Sequence, residues 1–288
     1  MTVEQQEQQT AQVDGDFAAD WRAWHAAHEI ARSHPHGFLA VTGLHWLGEE
    51  PERFPGAPGR WSTGPEGIAV VLDEQDEEGP DLLVDGTPVR GRHVFGHIPE
   101  RGGVEARWGE AVLEVARRGG RDILRPRHPD HPLRTEYPGT PTYPPQESWV
   151  IPGRYTPFDP PVPTTVGSVA EGLEHVYEAV GRVEFTAGGE ELALTVFPGG
   201  TPGALFALFA DATSGRTTYP AARQLAIAAP ETDGRVVLDF NRAVNLPCAY
   251  TDFATCPLPP AGNRLPVAVE AGERIPHERQ GGGGAGDE

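Results

Sequence analysis

Gly181-Arg182-Val183-Glu184-Phe185-Thr186-Ala187-Gly188-Gly189-Glu190-Glu191-Leu192-Ala193-Leu194-Thr195-Val196-Phe197 reads as two short strand-forming runs, Gly181–Thr186 and Glu191–Phe197, joined by a turn that contains glycine. The same pattern recurs at Ala204–Asp211, Thr217–Ile227 and Arg235–Phe240. Five such runs with regular spacing predict a barrel or a sandwich. Upstream, Phe38–Val41, Gly67–Asp73, Asp81–Val89 around an Asp85-Gly86 turn, and Val104–Trp108 predict a meander. The clearest hairpin pairs Ala111–Arg117 with Arg121–Arg125 across Gly119-Gly120, residues able to take the positive φ that a tight hairpin turn needs. No internal repeat of fixed period is present, which argues against a propeller or solenoid.

The fold class predicted is mainly β: two meander, barrel-like or sandwich subdomains, one N-terminal helix and few other helices. Gly (36) and Pro (30) are abundant and only 38% of residues are hydrophobic, a balance that favours short strands over long helices. A length of 288 residues also exceeds the usual size of a single core. The helix is placed at about Phe17–Ser33, capped by Asp16, with Trp21, Trp24 and Ala31 on one face and His34-Pro35 ending it. Residues 1–15 are polar, and residues 276–288 close on the Gly-rich acidic run Gly281–Glu288, so both ends are expected to be disordered. The N-terminal subdomain is expected over 16–160, including a Pro-rich extended linker over Pro126–Pro163, and the C-terminal subdomain over 161–275.

A formal charge of -19 repels phosphate backbones and anionic lipid, so neither nucleic acid nor membrane is an expected partner. The sequence contains no Lys, which removes Schiff-base chemistry and a Lys-dependent phosphate loop. No apolar run approaches the ~20 residues that span a bilayer, and the start carries no secretory pattern. A cytoplasmic location follows as the expectation, with Cys248 and Cys256 as free thiols or a functional pair. Nucleophile-elbow, phosphate-loop and dinucleotide fingerprints are absent, and no cofactor is expected.

The most informative segment is the long, aperiodic run Asp239–Leu265, since a loop of this length in a compact domain is usually functional. It contains Asp239-Phe240-Asn241-Arg242-Ala243-Val244-Asn245-Leu246-Pro247-Cys248-Ala249, then Ala254-Thr255-Cys256-Pro257-Leu258-Pro259-Pro260, then Asn263-Arg264-Leu265, followed by Ala271-Gly272-Glu273. In these blocks the chain resembles the uncharacterised bacterial family called domain of unknown function 1684. Leu246 stands where that family usually has Pro. The resemblance continues through Phe209–Tyr219 and Arg223-Gln224-Leu225, more faintly at Gly43–Leu47, and is strongest over Leu205–Glu273. It implies membership and no activity.

Read as chemistry, the segment gathers groups that recognise small molecules. Asp239 is the candidate general acid or base, with Tyr219, Arg223, Asn241, Asn245, Tyr250, Asn263 and Arg264 as candidate binding groups for an anionic or sugar-like metabolite. Hydrolase or lyase chemistry would suit such a pocket, and whether the protein is an enzyme stays open. The alternative is that the segment is a structural plug closing the end of a sheet, in a non-enzymatic binding or interaction module. Pocket and plug are compatible. A third reading centres on a Cys248/Cys256 thiol or metal site, with His45 as a possible further ligand, although two cysteines at this spacing match no zinc or redox motif and no metal is expected. Of the close histidine pairs, His25 and His28 could share a helix face, but none has the His-Glu-x-x-His spacing of a metalloprotease.

Overall fold

The computed structural model describes residues 3–76 and 78–279, with side chains from Asp16 onward except at 278. The expectation for the Gly-rich tail after Arg279 lies outside the described residues. The fold is mainly β, with three antiparallel sheets and two α-helices among the described residues: α1 (Val3–Arg32) and the single-turn α2 (Pro132–Thr135). Helix α1 begins well before Asp16. The stretch ahead of Asp16 is rich in Gln and Glu, which are good helix formers, and the backbone is helical through it. The chain divides into two compact units, one of Ala31–Tyr137 with Thr251–Thr255 and one of Met1–Ile30, Pro138–Tyr250 and Cys256–Glu288.

The first unit contains β1 (His45–Trp46), β2 (Arg60–Gly64), β3 (Gly67–Val71), β4 (Leu82–Val84), β5 (Thr87–Pro88), β6 (Arg92–Gly96), β7 (Gly103–Trp108), β8 (Ala111–Arg118) and β9 (Arg121–Arg127). They form a six-stranded sheet in the order β1-β9-β8-β7-β4-β5 and a three-stranded sheet in the order β2-β3-β6. The β8–β9 hairpin turns on Gly119 and Gly120, at φ of 56° and 76°. Trp61, Ile68, Val70, Leu113, Val115 and Leu124 fill the core, with Trp61 stacked on Phe95 at 5.5 Å between ring centroids. Phe38–Ala40, expected as a strand, is a 3-10 turn.

Side chains alternate along a strand, so Glu114 points away from the core that Leu113 and Val115 enter. There it is ringed by Arg118 (2.8 Å), Arg125 (3.0 Å) and Arg127. Burial alone pushes the Glu114 carboxyl up, but the guanidiniums of Arg125, Arg127 and Arg118 together outweigh it and hold it below its usual range. A carboxylate whose folded pKa is depressed contributes stability above its unfolded pKa of about 4.3 and loses it as pH falls through the folded value. Urea unfolding should therefore show stability falling as pH drops below about 4.3, and Glu114→Gln should flatten that slope while lowering stability at neutral pH. An unchanged slope would assign the acid sensitivity to other carboxylates.

The second unit carries one seven-stranded sheet in the order β15-β10-β11-β12-β13-β14-β16. Its strands are β10 (Val150–Gly167), β11 (Glu174–Ala187), β12 (Glu190–Pro198), β13 (Leu205–Phe209), β14 (Arg223–Ile227), β15 (Arg235–Asp239) and β16 (Val244–Asn245). Strand β10 takes up much of the stretch expected as a Pro-rich linker. A central strand cannot lack amide protons on both sides, and β10 meets that limit by position. It pairs with β15 only over Val150–Arg154 and with β11 only from Gly153 onward, so none of its prolines is paired on both sides. The ladder with β11 shifts register between Pro157 and Val162. Strand β11 alternates cleanly, with Val183, Phe185 and Ala187 buried and Arg182, Glu184 and Thr186 exposed. Below it Phe240 meets Phe209 at 5.5 Å, Phe185 at 5.7 Å and Trp149 at 6.1 Å. Among the described residues no helix is long and apolar enough to cross a membrane.

Candidate functional site

The loop after β15 begins with a cap. The Asp239 carboxylate accepts from the Asn241 backbone N–H at 3.1 Å and from its side-chain amide at 2.9 Å, and pairs with Arg242 at 3.1 Å. Short polar side chains stabilise turn starts in this way. Asn241, 2% exposed, then treats the Gln146 peptide as a β-partner, accepting its N–H and donating to its carbonyl, both at 2.9 Å. Asn263, fully buried, does the same to Thr195 of β12, at 2.8 and 2.9 Å, and also donates to the Leu208 carbonyl of β13 at 2.8 Å. Strands β12 and β13 pair directly only at Phe197–Phe206 and Pro198–Leu205. Where they part, the Asn263 amide supplies the missing peptide, which meets the need of buried backbone groups for partners.

Arg223 is likewise internal. Its guanidinium, 1% exposed, binds Asp211 at 2.7 Å, the Val269 carbonyl at 3.0 Å and the Ala271 carbonyl, and lies over the Phe209 ring. Burial lowers the Arg223 pKa and the Asp211 charge opposes that shift. Asp211 spends its other oxygen on Thr213 and the Val269 N–H. Arg264, by contrast, is exposed, and its backbone forms a bridge with Ala210. The two arginines expected to grip one ligand therefore lie in opposite environments, one walled in and one facing solvent.

The remaining motif residues converge on Glu273. Gly272, at φ 76°, sits so close to the backbone that an added Cβ would lie 2.5 Å from the Ala243 carbonyl oxygen and 2.8 Å from that of Phe240. Only glycine permits both the conformation and the approach. This contact delivers the next residue, Glu273, 1% exposed, to the Asn245 N–H at 2.6 Å and the Tyr250 hydroxyl at 3.3 Å, both bonding to Oε2. Tyr250 also bonds the Thr140 hydroxyl at 2.7 Å. The Asn245 side-chain amide donates to the Arg274 carbonyl at 2.8 Å, while its buried Oδ1 has no hydrogen-bond partner among the described residues.

Helix α1 completes the arrangement. Its Trp21 indole N–H donates to the Asn241 carbonyl at 2.9 Å. His25 stacks on Trp21 at 4.9 Å and His28 on Trp24 at 5.4 Å. His28 Nε2 lies 3.8 Å from Glu273 Oε1, and His25 Nε2 lies 3.7 Å from Glu29 Oε1. Glu29 is held from its other side, where Oε2 accepts the Thr140 N–H at 3.2 Å. His25, His28 and Glu29 stand at i, i+3 and i+4, one helix face. Sequence reasoning singled out the histidine pair but not Glu29 or Glu273. The His25-x-x-x-Glu29 spacing was the available signal for the first, whereas Glu273 joins the cluster only through the fold.

The thiols do lie together: the Cys248 N–H approaches Cys256 Sγ at 3.4 Å, and both residues are buried and unbridged. The hydrogen bond with Cys256, followed by burial, pushes the Cys248 thiol far above its usual range, while a hydrogen bond from Tyr219 pulls weakly the other way. A thiol held protonated is a poor nucleophile and a poor metal ligand. His45 belongs to the other unit, stacked on Phe54 at 4.7 Å with Nε2 3.2 Å from the Pro55 carbonyl. A cleft of about 560 Å³ lies elsewhere on this unit's sheet, against Arg154, Arg182, Glu184 and Glu191, and its lining contains none of the motif residues.

The model of the family described as protein of unknown function (DUF1684) matches residues 135–274. The chain belongs to this family. A solution NMR structure of an uncharacterised protein of Haloarcula marismortui is similar at 30% identity, covering 49% of this chain and 79% of that one, with a TM-score of 0.41. No curated protein matches. The family match begins before Thr140 and closes just after Glu273, so it takes in Asn241, Asn245, Tyr250 and Glu273 and leaves out α1. The family segment thus provides the scaffold and the buried carboxylate, and α1 provides the histidines.

Proposed function

We propose that the protein binds a small polar metabolite and acts on it by acid–base chemistry, in a hydrolase or lyase reaction, at His28 and Glu273. The observation that carries this reading is the setting of Glu273. Its buried carboxylate has one oxygen fixed by the Asn245 N–H and the Tyr250 hydroxyl, and the other faces His28, whose side chain is 30% exposed and reaches solvent. A carboxylate this close to an imidazole can tighten to hydrogen-bond distance in the substrate complex and let the imidazole exchange a proton with a bound substrate. Two carboxylates at the site and an Arg223 that is walled in favour a hydroxylated, uncharged ligand over an anion. The buried Asn245 Oδ1 is a further acceptor beside Glu273. The same reading keeps nucleic acid and membranes out of the partner set, and places the protein in the cytoplasm, in keeping with two unbridged thiols.

A panel of p-nitrophenyl glycosides and p-nitrophenyl esters tests it. Turnover is expected, and His28→Gln and Glu273→Gln should each lower kcat/KM by about 10²–10⁴-fold, the usual worth of a general acid or base. Asp239→Asn distinguishes the roles of the loop. It should preserve turnover if Asp239 serves as the cap of its turn and abolish turnover if Asp239 is the acid or base. No turnover across the panel, or turnover indifferent to His28 and Glu273, would sink the proposal. A second reading, a non-enzymatic binding module whose loop is a plug, is favoured by the way Asn241 and Asn263 are consumed by backbone groups. It predicts the absence of turnover in every variant.

A further inference from the structure

We infer that His25, Glu29 and Glu273 form a binding site for a first-row divalent transition metal ion, with His28 beside it. One ligand atom from each of the first three residues lies within 4.8 Å of the others, and His28 Nε2 is 3.8 Å from Glu273 Oε1. Around a tetrahedral ion with bonds of about 2.1 Å, donor atoms sit ~3.4 Å apart, so side-chain movements of about 1–1.5 Å close the three-residue set, and water fills the remaining position. The two His–Glu separations, 3.7 and 3.8 Å, are longer than hydrogen bonds and suit atoms arranged about a shared ion.

The outer contacts favour the same conclusion. A metal site needs its ligands oriented from behind. Glu29 and Glu273 are each anchored through Oε2, to the Thr140 and Asn245 amides, and each turns Oε1 toward a helix histidine. His25 and His28 are each backed by an indole, the first nearly parallel at 9° and the second at 15°. Two carboxylates carry a charge that a divalent ion cancels, and a buried carboxylate such as Glu273 gains most from a nearby cation. The donor set identifies the class of ion. Imidazole nitrogen disfavours Mg²⁺ and Ca²⁺, and the lack of thiolate disfavours Cu⁺, which leaves Zn²⁺ and its first-row neighbours.

The inference rests on the same side chains as the acid–base reading, and the two can fail separately. The full chain, stripped with EDTA, would be titrated with Zn²⁺ by calorimetry and with Co²⁺ by visible absorption. One ion per chain is expected, with ligand-field bands for Co²⁺. Glu29→Gln and His25→Asn, at partly exposed positions that tolerate polar replacement, should each weaken Zn²⁺ binding on the order of 100-fold. His34→Asn, outside the cluster, should not change it. Ion binding without hydrolysis of any chromogenic substrate would uphold the metal site and reject the acid–base reading. Hydrolysis that depends on Glu273 in a chain that takes up no ion, or binding unaffected by His25→Asn and Glu29→Gln, would overturn the metal site.

Discussion

Asp211→Ala is expected to lower the unfolding free energy of its unit by about 3–5 kcal/mol, the usual cost of leaving a buried charge without its partner. The mutation strands a guanidinium that is 1% exposed and cannot shed its proton. It also deprives the Thr213 hydroxyl and the Val269 N–H of an acceptor. Domain stabilities lie at only about 5–15 kcal/mol, so the loss is a large share of the total. The intact ion pair need not stabilise by the same amount, because desolvation offsets much of its attraction. Replacing both partners with apolar residues, as in Asp211→Leu with Arg223→Met, should therefore restore a good part of what either single change loses. Urea denaturation of the two single variants and the double variant forms the cycle. Additive losses would mean that the two residues act separately and that the pair is not the unit of stability.

Phe240→Ala is expected to cost about 3–5 kcal/mol, in the range for removing a buried aromatic side chain. The ring is wholly buried between Phe185, Phe209 and Trp149, so deletion leaves a cavity lined by rigid rings that collapse poorly. The effect should extend beyond stability, because the Phe240 and Ala243 carbonyls are the surface on which Gly272 rests, and that contact places Glu273. Protection of the Asn245 amide from hydrogen exchange reports on this directly, since that N–H donates to Glu273. A Phe240→Ala chain with unchanged exchange at Asn245 would show that Glu273 is positioned independently of the core. Phe240→Leu, which keeps most of the volume, should lose less on both counts.

The repeated short apolar runs between glycine turns determined a mainly β fold, because a period of two with frequent turns cannot be satisfied by helices. The Asp85-Gly86 and Gly119-Gly120 turns, the absence of Lys and the long motif through Glu273 were also legible, each being a local property of the chain. Proline content misled where position mattered. Residues 126–163 read as a linker, yet Val150–Gly167 form a strand because no proline in it is paired on both sides, a fact about sheet order that no local pattern contains. The same holds at the site. The amides of Asn241 and Asn263 read as ligand-binding groups in the sequence, and only the parting of β12 from β13 and the approach of the Gln146 peptide assign them to backbone. Arg223 and Arg264 look alike on the page until burial separates them. The cluster of His25, His28 and Glu29 with Glu273 joins residues more than 240 positions apart. Local chemistry supplied the side chains, and long-range packing through Gly272 and α1 decided which of them meet.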